Sequence, residues 1–310
     1  MKYGFGVDLG GTTVKIAFFT QEGELLFKWE IPTNIENNGS GILPDIAASL
    51  ESFMAEKGVA REDILGIGIG VPGAVTGDGV VHICDNLVWG VVNVQEELGG
   101  LTGFRVVAGN DATVAALGEC WKGGGQGCRN MVMITLGTGV GGGMVVGGNV
   151  LMGAHGAGGE IGHMVLNRAE TESCGCGKKG CVEQYCSATG IVRLMKKHLQ
   201  STPYRSVLQG REFACKDVFD AAAGGDIPAV EVLEQVYAYL GEFIANICCV
   251  IDPEVVVLGG GVSKAGAPLL EGVERHFAHY AYHACTETEF VQAALGNDAG
   301  VYGAFRLLLI

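Results

Sequence analysis

The apolar positions of this chain alternate between short continuous runs and repeats with helical spacing. Continuous runs typical of buried strands lie at residues 3–19, 24–31, 64–71, 104–108, 131–146 and 254–258. Apolar residues three and four positions apart predict helices at residues 44–57, 109–121, 190–200, 217–223, 226–247 and 297–309. Strands and helices that alternate in this way predict an α/β fold.

Two glycines, Gly10 and Gly11, interrupt the first apolar run. Glycines at such a turn are expected to supply positive φ and to leave backbone N–H groups open to a bulky anion. Asp8 lies just before the turn, where a carboxylate needs a cation or a hydrogen-bond donor. Polar side chains follow at Thr12, Thr13 and Lys15. Taken alone, the segment is typical of an ordinary glycine hairpin.

The same plan recurs at residues 131–146, where a Leu-Gly-Thr turn contains Gly137 and Thr138. A third glycine turn, at residues 259–261, follows the strand at residues 254–258. Two similar hairpins in the two halves of a chain indicate a duplicated domain, in which each half offers a turn that can cradle phosphate.

Asn110 and Asp111 lie between a predicted strand and a predicted helix. Both residue types are favoured at helix N-caps, so capping is the simplest interpretation of this pair. A helix start can also aim a side chain at a ligand, so the capping role and a functional role are compatible.

A cysteine cluster with the spacing C-x-C-x4-C lies at Cys174, Cys176 and Cys181, with glycines between the cysteines. We call residues 174–181 the knuckle. A disulfide within C-x-C is strained and would leave the third cysteine unpaired. Three thiolates and one imidazole form a closed structural zinc set, so the spacing favours zinc over simple thiols without excluding the latter.

Composition and charge exclude several functional classes. The net charge is −14 and no basic run is present, which argues against a nucleic-acid partner. The N-terminus shows no secretory leader, and polar residues interrupt the most apolar stretch at 243–258, so no membrane association is expected. The irregular spacing of most of the 11 cysteines favours a cytoplasmic protein over a secreted disulfide framework. Simple core or surface thiols are expected at Cys84, Cys120, Cys128, Cys186, Cys215, Cys248, Cys249 and Cys285.

The three glycine turns resemble the phosphate-1, phosphate-2 and adenosine motifs of the superfamily that sugar kinases, actin and heat-shock chaperones share. The knuckle narrows the resemblance to bacterial sugar kinases of the ROK family (repressors, open reading frames, kinases), over nearly the whole chain. The resemblance implies a two-domain actin-like ATPase (ribonuclease H-like) fold with a cleft between the domains. A small N-terminal domain would comprise residues 1–112 and 298–310, and a large domain with the knuckle would comprise residues 113–297.

By this resemblance, the chain would bind ATP and Mg²⁺ through Asp8, Gly10, Gly11, Thr12, Lys15, Gly137, Thr138, Gly260 and Gly261. Asp8 would organise Mg²⁺ through water, because this ion dehydrates reluctantly. Asp111 would be the catalytic base. Sugar hydroxyls would contact Asn110, Asp111, Glu160, His163 and Glu183, and a structural Zn²⁺ would be held by His163, Cys174, Cys176 and Cys181.

The Gly-Glu160-Ile-Gly-His163 form resembles the glucokinase branch of the family, so the expected reaction is ATP-dependent phosphorylation of glucose at O6. An N-acetylglucosamine, N-acetylmannosamine or other hexose kinase is the alternative. A repressor is less favoured, because the first strand begins by residue 4 and leaves no room for a preceding helix-turn-helix. A non-enzymatic sugar sensor is less favoured because Asp111 and both phosphate turns are intact. A homodimer or homotetramer is expected. Loss of zinc is expected to weaken glucose binding more than nucleotide binding.

Overall fold

The structure, a computed structural model, describes residues 1–82 and 84–310. Its strands are β1 Tyr3–Leu9, β2 Thr13–Thr20, β3 Leu25–Pro32, β4 Ile64–Val71, β5 Val80–Val81, β6 Val92–Asn93, β7 Val106–Asn110, β8 Met131–Leu136, β9 Val140–Val146, β10 Asn149–Val150, β11 Val255–Gly259 and β12 Glu289–Gln292. Its helices are α1 Glu36–Gly39, α2 Ile42–Lys57, α3 Val94–Thr102, α4 Asp111–Lys122, α5 Glu183–Cys186, α6 Ala188–His198, α7 Cys215–Ala223, α8 Ile227–Ile251, α9 Ala267–Tyr280 and α10 Ala299–Leu309. The predicted strands and helices are therefore confirmed, with ends that differ by a few residues.

The chain forms two compact units. Unit 1 contains residues 1–129, 143–159 and 295–310, and unit 2 contains residues 130–142 and 160–294. The predicted boundary between residues 112 and 113 falls inside α4, which lies wholly in unit 1. The compact units thus have other bounds than the two expected domains. The division into those domains stays a prediction.

The sheet of unit 1 has the strand order β3-β2-β1-β4-β7. The strand β1 is antiparallel to β2 and parallel to β4, and β4 is parallel to β7. Both faces of the sheet are covered. On one face, Phe5 and Val7 pack in a core with residues of α2 such as Ile46. On the other face, Phe19 stacks on Phe305 of α10 at a ring distance of 4.7 Å.

Glycines bring the backbone of α10 directly onto this sheet. A Cβ atom at Gly6 would overlap the carbonyl oxygen of Val301, and one at Gly68 would overlap that of Ala304. The glycine spacing at residues 68–73 formally matches a dinucleotide fingerprint, but Gly68 and Gly70 lie inside β4 and face α10 and α4. Gly73 follows the strand and has a φ of +91°.

The same helix crosses α4 without intervening side chains. A Cβ atom at Gly303 would overlap the carbonyl oxygen of Val114, and one at Gly118 would overlap that of Ala299. Because α4 begins directly after β7, this contact fixes the position of the first residues of α4 at the end of the sheet.

In unit 2, the strands β8, β11 and β12 are parallel neighbours, with Gly259 of β11 in register with Thr135 of β8. Asp226 caps the long helix α8 by accepting a hydrogen bond from the N–H of Ala229, and Pro228 lies in its first turn, as predicted. The strand order of the second sheet is β10-β9-β8-β11-β12. Among the described residues, no helix combines the length and the apolar character needed to cross a membrane.

We predict that Gly303→Ala lowers the free energy of unfolding by about 3 kcal/mol, because the new methyl group must displace the backbone of α4. The matched control is Gly100→Ala in the exposed part of α3, where no atom lies within 4 Å of the added Cβ. This substitution should raise the free energy of unfolding by up to about 1 kcal/mol, through helix propensity alone. Urea denaturation measures both values, and equal effects of the two substitutions would contradict the packing argument.

Candidate functional site

The polar residues predicted in unit 1 lie at one end of its sheet. Asp8 of β1 is in register with Gly70 of β4, and Asn110 of β7 is in register with Val71 of the same strand. The three strands are parallel, so their carboxyl ends meet at the same edge. The structure therefore brings the first glycine turn and the Asn110–Asp111 pair to a common edge.

The first glycine turn does not use positive φ, in contrast to the expectation for Gly10 and Gly11, since neither residue has it. Their role is spatial. A Cβ atom at Gly10 would lie 2.9 Å from the carbonyl oxygen of Thr13, and one at Gly11 would lie 3.3 Å from that of Asn86. Thr33 holds the turn from outside, because its hydroxyl donates to the carbonyl of Gly10 at 2.6 Å.

Asp8 is surrounded by one cation and by backbone. The ammonium of Lys15 lies 3.5 Å from its carboxylate and also donates to the carbonyl of Asn297. Gly300, at the start of α10, leaves room for the carboxylate, since a Cβ atom there would collide with it. Burial raises the pKa of Asp8 above its ordinary value, and the charge of Lys15 opposes the rise. A metal ion beside Asp8 would relieve the cost of its buried charge.

Asn110 is the N-cap of α4, as the simplest interpretation predicted. Its side-chain oxygen accepts from the N–H of Thr113 at 3.0 Å, and its amide group donates to the carbonyl of Gly73 and to Asp111. The same carboxylate oxygen of Asp111 accepts from the N–H of Ala112 at 2.8 Å. The loop after β4 and the helix start thus fix the orientation of both side chains.

In unit 2, the second and third glycine turns follow the adjacent strands β8 and β11. Gly260 has a φ of +82°, and a Cβ atom there would lie 2.5 Å from the carbonyl oxygen of Leu136, just before Gly137. At Gly261 and Gly137, no atom lies within 4 Å of an added Cβ, and the side chain of Thr138 is exposed. Both turns therefore present open backbone, as a nucleotide would require.

The predicted metal ligands converge. The ligand atoms of His163, Cys174, Cys176 and Cys181 lie within 4.8 Å of one another. The sulfur atoms of Cys176 and Cys181 are 3.6 Å apart, and Nδ1 of His163 lies 3.8 Å from the sulfur of Cys174. Zinc–sulfur bonds of about 2.3 Å in a tetrahedron place two sulfur atoms about 3.8 Å apart. These residues fit a closed zinc site with three thiolates and one imidazole.

Ion pairs and hydrogen bonds hold the knuckle from behind. Arg193 of α6 binds Glu170 and Glu172, which precede the knuckle, at 2.8 Å each. The hydroxyl of Tyr185 donates to Glu170 at 2.7 Å, and the bond from Arg193 holds the pKa of Glu170 far below its usual range. The side-chain oxygen of Gln184 accepts from two N–H groups of the knuckle, at Gly180 and Cys181.

The remaining predicted sugar ligands lie around this metal set. Nε2 of His163 lies 4.0 Å from the carboxylate of Glu160. One carboxylate oxygen of Glu183 accepts from the N–H of Val140 at 3.0 Å, and the other lies 3.6 Å from the sulfur of Cys174. Unit 2 therefore brings together Glu160, His163 and Glu183, as predicted.

Sequence analysis missed several residues that support the site, among them Thr33, Ser187, Thr189 and Gly300. Thr33 contacts Gly10 across 23 positions, and the hydroxyl of Thr189 donates to the carbonyl of Thr138 across 51 positions. Contacts at such separations leave no local pattern in a single sequence. A glycine within the predicted helix at 297–309 was the available signal for Gly300, because glycine in a helix is costly unless packing requires it.

We predict that Asp8→Asn stabilises the protein without ligands at pH 8 and that this advantage shrinks towards pH 4. A carboxyl group whose pKa is raised by folding costs stability once the pH exceeds its folded pKa, whereas below the unfolded pKa, about 3.8, it is neutral in both states. Asparagine carries no such cost. The measurement is urea denaturation at both pH values, in the absence of Mg²⁺ and nucleotide.

The control for this prediction has the opposite sign. The hydroxyl of Thr76 lowers the pKa of the exposed Asp78. Asp78→Asn should therefore lose stability at pH 8 relative to pH 4. If Asp8→Asn behaved like Asp78→Asn, the buried-charge account of Asp8 would be wrong.

Comparisons with known proteins identify the family of the chain. The sequence profile of the ROK family matches residues 4–309. A glucokinase of Halalkalibacterium halodurans is 44% identical over 96% of this chain and 92% of its own length. A glucokinase of Thermotoga maritima is 35% identical over 98% of this chain and 96% of its own length. The crystal structure of a ROK family glucokinase from Streptomyces griseus, in complex with glucose and AMPPNP, superposes with a TM-score of 0.75 at 30% identity, covering 98% of each chain. The fold is that of the ROK sugar kinases, with its actin-like ATPase architecture, and the chain belongs to the ROK family.

Proposed function

We propose that this protein is a glucokinase, which transfers the γ-phosphoryl group of ATP to O6 of glucose. Two relatives of high coverage bear the name glucokinase, and the solved relative binds glucose together with an ATP analogue. The site residues of this chain, taken one by one, support the same chemistry.

The observation that carries the proposal is the common edge of the unit 1 sheet. Asp8 and the Asn110–Asp111 pair end strands that are separated by β4 alone. Two strand spacings amount to about 10 Å. This span suits a metal-binding carboxylate at one side, a catalytic base at the other, and a phosphoryl group with the accepting hydroxyl between them.

Asp111 is assigned as the general base for O6 of glucose. A carboxylate is a weak base for an alcohol, because an alcohol holds its proton far more tightly than a carboxylic acid does. It suffices because phosphoryl transfer has a loose transition state, so proton loss comes late. The bonds from Ala112 and Asn110 orient the carboxylate, and Asn110 can still accept a sugar hydroxyl through the second lone pair of its amide oxygen.

Phosphate binding is assigned to the glycine turns. In unit 1, the N–H groups of Gly11 and Thr12 are assigned to the phosphates, and the N–H of Gly10 closes the turn by donating to the carbonyl of Thr13 at 3.0 Å. Asp8 would organise water around Mg²⁺, and Lys15 holds Asp8 in place. When bound, Mg²⁺ supplies charge neutralisation on the transferred group. In unit 2, Gly137 and Thr138 contact phosphate, and Gly260 and Gly261 leave flat backbone for the adenosine.

Sugar recognition in unit 2 is assigned to Glu160, His163 and Glu183. With Nδ1 of His163 directed at the cysteines, Nε2 is the nitrogen that donates to a sugar hydroxyl. A zinc ion held by His163 and the three cysteines would have no open position, so its contribution is structural. It would fix the tautomer of His163 and thereby the direction of that hydrogen bond.

A coupled assay with ATP and Mg²⁺ tests the proposed function. The panel contains glucose, fructose, mannose, N-acetylglucosamine and N-acetylmannosamine, and NMR of the product locates the phosphate. We expect the highest kcat/KM for glucose and a product phosphorylated at O6. A higher kcat/KM for an acetamido sugar would assign the alternative kinase, and no turnover with any sugar would refute the kinase proposal.

Asp111→Asn should lower kcat by about 10²- to 10⁴-fold, the usual span for loss of a general base. The amide oxygen can keep the bond from Ala112, so glucose affinity should change far less. Asp45→Asn is the matched control, because Asp45 is an exposed acid in the first turn of α2. Steady-state kinetics and glucose titration measure both variants, and near-normal turnover of Asp111→Asn would rule out Asp111 as the base.

The purified protein should contain about one zinc ion per chain, as a closed four-ligand site requires. Cys176→Ser should lose the metal and bind glucose much more weakly, since His163 loses its fixed tautomer. Cys249→Ser changes an exposed cysteine outside the cluster and should retain zinc. Elemental analysis and glucose titration are the measurements. Wild-type protein without zinc, or a zinc-free variant with unchanged glucose affinity, would contradict the assignment.

A further inference from the structure

The second glycine turn, residues 137–140, is supported from outside by a segment that begins two residues after the knuckle. The N–H of Ala188 donates to the carbonyl of Gly137 at 2.8 Å, and the hydroxyl of Thr189 donates to that of Thr138 at 2.8 Å. Glu183 accepts from the N–H of Val140 at 3.0 Å. We call residues 183–189 the coupling segment. Its three hydrogen bonds contact the turn at both ends.

The coupling segment is also tied to the metal ligands. Cys181 lies two positions before Glu183 in sequence, and Gln184 accepts from the N–H groups of Gly180 and Cys181 at 2.8 and 3.1 Å. The helix α5, residues 183–186, is a single turn, and a helix of this length does not form by itself. Its geometry therefore depends on what holds its two ends.

A buried hydroxyl joins the contacts inside the segment. Ser187 is fully buried and donates to the carbonyl of Glu183 at 2.6 Å. Its oxygen accepts from the N–H of Gly190 at 2.9 Å and lies 3.0 Å from the hydroxyl of Thr189. Ser187 therefore joins the backbone of Glu183 to the first turn of α6, which contains Thr189, and the side chains of Glu183 and Thr189 both contact the turn.

We propose that the coupling segment positions the phosphate-binding turn, so that nucleotide affinity depends on zinc. Ala188 and Thr189 are positioning residues: they act on phosphate through Gly137 and Thr138. This inference rests on the proposed function, which assigns the turn to ATP. It adds nucleotide binding to the effects of metal loss, which the sequence predicted to fall mainly on glucose binding.

Metal loss should loosen the segment and leave it folded. Tyr185 and Cys186 of α5 are buried, and Tyr185 is hydrogen-bonded to Glu170. The helix therefore keeps its side-chain contacts when Cys181 is released. The expected change is a loss of order at residues 137–140, which weakens nucleotide binding without unfolding unit 2.

Ala188→Pro removes the N–H that binds Gly137 and is compatible with the local backbone. Residue 188 is the first position of α6, where proline is favoured. The preceding Ser187 has a φ of −73° and a ψ of 166°, the extended conformation that proline requires before it. Ala188→Ser keeps the N–H and is the matched control. Thr189→Val removes the second bond without changing the backbone.

With zinc bound, Ala188→Pro and Thr189→Val should each weaken binding of AMPPNP with Mg²⁺ by about 2- to 10-fold, the usual effect of one hydrogen bond. The KM for ATP should rise by the same factor, while the glucose KM stays within about twofold of wild type. Ala188→Ser, and Thr286→Val at a remote hydroxyl-to-carbonyl bond, should bind AMPPNP like wild type. Calorimetric titration provides the affinities. Wild-type AMPPNP affinity in both test variants would overturn the positioning role.

The dependence on zinc is tested with wild-type protein from which a chelator has removed the metal, and with Cys176→Ser. Both should bind AMPPNP more weakly than the zinc-loaded protein, and peptides covering residues 136–142 should exchange amide hydrogen faster. Adding Thr189→Val to Cys176→Ser should cost less affinity than it costs in the zinc-loaded protein, because the two changes act on one chain of contacts. Unchanged exchange and unchanged AMPPNP affinity after zinc removal would overturn the coupling.

Failure of the proposed function would look different. If the protein phosphorylates no sugar and still loses protection from amide exchange at residues 136–142 when zinc is removed, that result would refute the kinase assignment and support the coupling. A protein that phosphorylates glucose normally, with a nucleotide affinity independent of zinc, keeps the kinase assignment and loses the coupling.

Discussion

The contact of α10 with its neighbours is the constraint on which the unit 1 site depends. Its backbone lies directly against the sheet at Gly68 and against α4 at Gly303, with no side chain between them. Because carbonyl oxygens occupy the places where Cβ atoms would be, neither position can accept alanine without displacement of the backbone. The packing of α10 therefore fixes the position of the start of α4, which carries Asp111. It also fixes the position of Gly300, which lies beside Asp8.

In unit 2, the proposed site residues are held by a different kind of interaction. There the turn at residues 137–140, proposed to bind phosphate, is fixed by hydrogen bonds with side chains and N–H groups at residues 183–189. Close packing tolerates little displacement, because overlap energies rise steeply, whereas hydrogen bonds of about 1 kcal/mol each can be weakened one by one. We therefore expect single substitutions to change ligand affinity gradually in unit 2, where hydrogen bonds hold the turn, more readily than in unit 1.

The sequence predicted elements and local chemistry well, because both leave local signals. Continuous apolar runs identified the strands. The cap at Asn110, the helix start at Asp226 and the cysteine cluster at residues 174–181 are each recognisable within about ten positions. The roles of Gly10 and Gly11 were misjudged, because a glycine needed for close approach looks the same in a sequence as one needed for positive φ. Contacts such as Thr189 with Thr138 arise only when the chain is folded, so local patterns could not reveal them.

The ion pairs of Arg193 with Glu170 and Glu172 have a consequence for how the proposed zinc ion would be acquired. In small zinc fingers the ion supplies most of the folding free energy, so the empty peptide is unstructured. Here the scaffold behind the cysteines rests on buried side chains and on carboxylates that remain ionised well into the acidic range. The four ligands are therefore held near their final geometry by the polypeptide itself. Zinc would enter a receptor that is already assembled, and an empty protein could be reloaded by simple exposure to the ion.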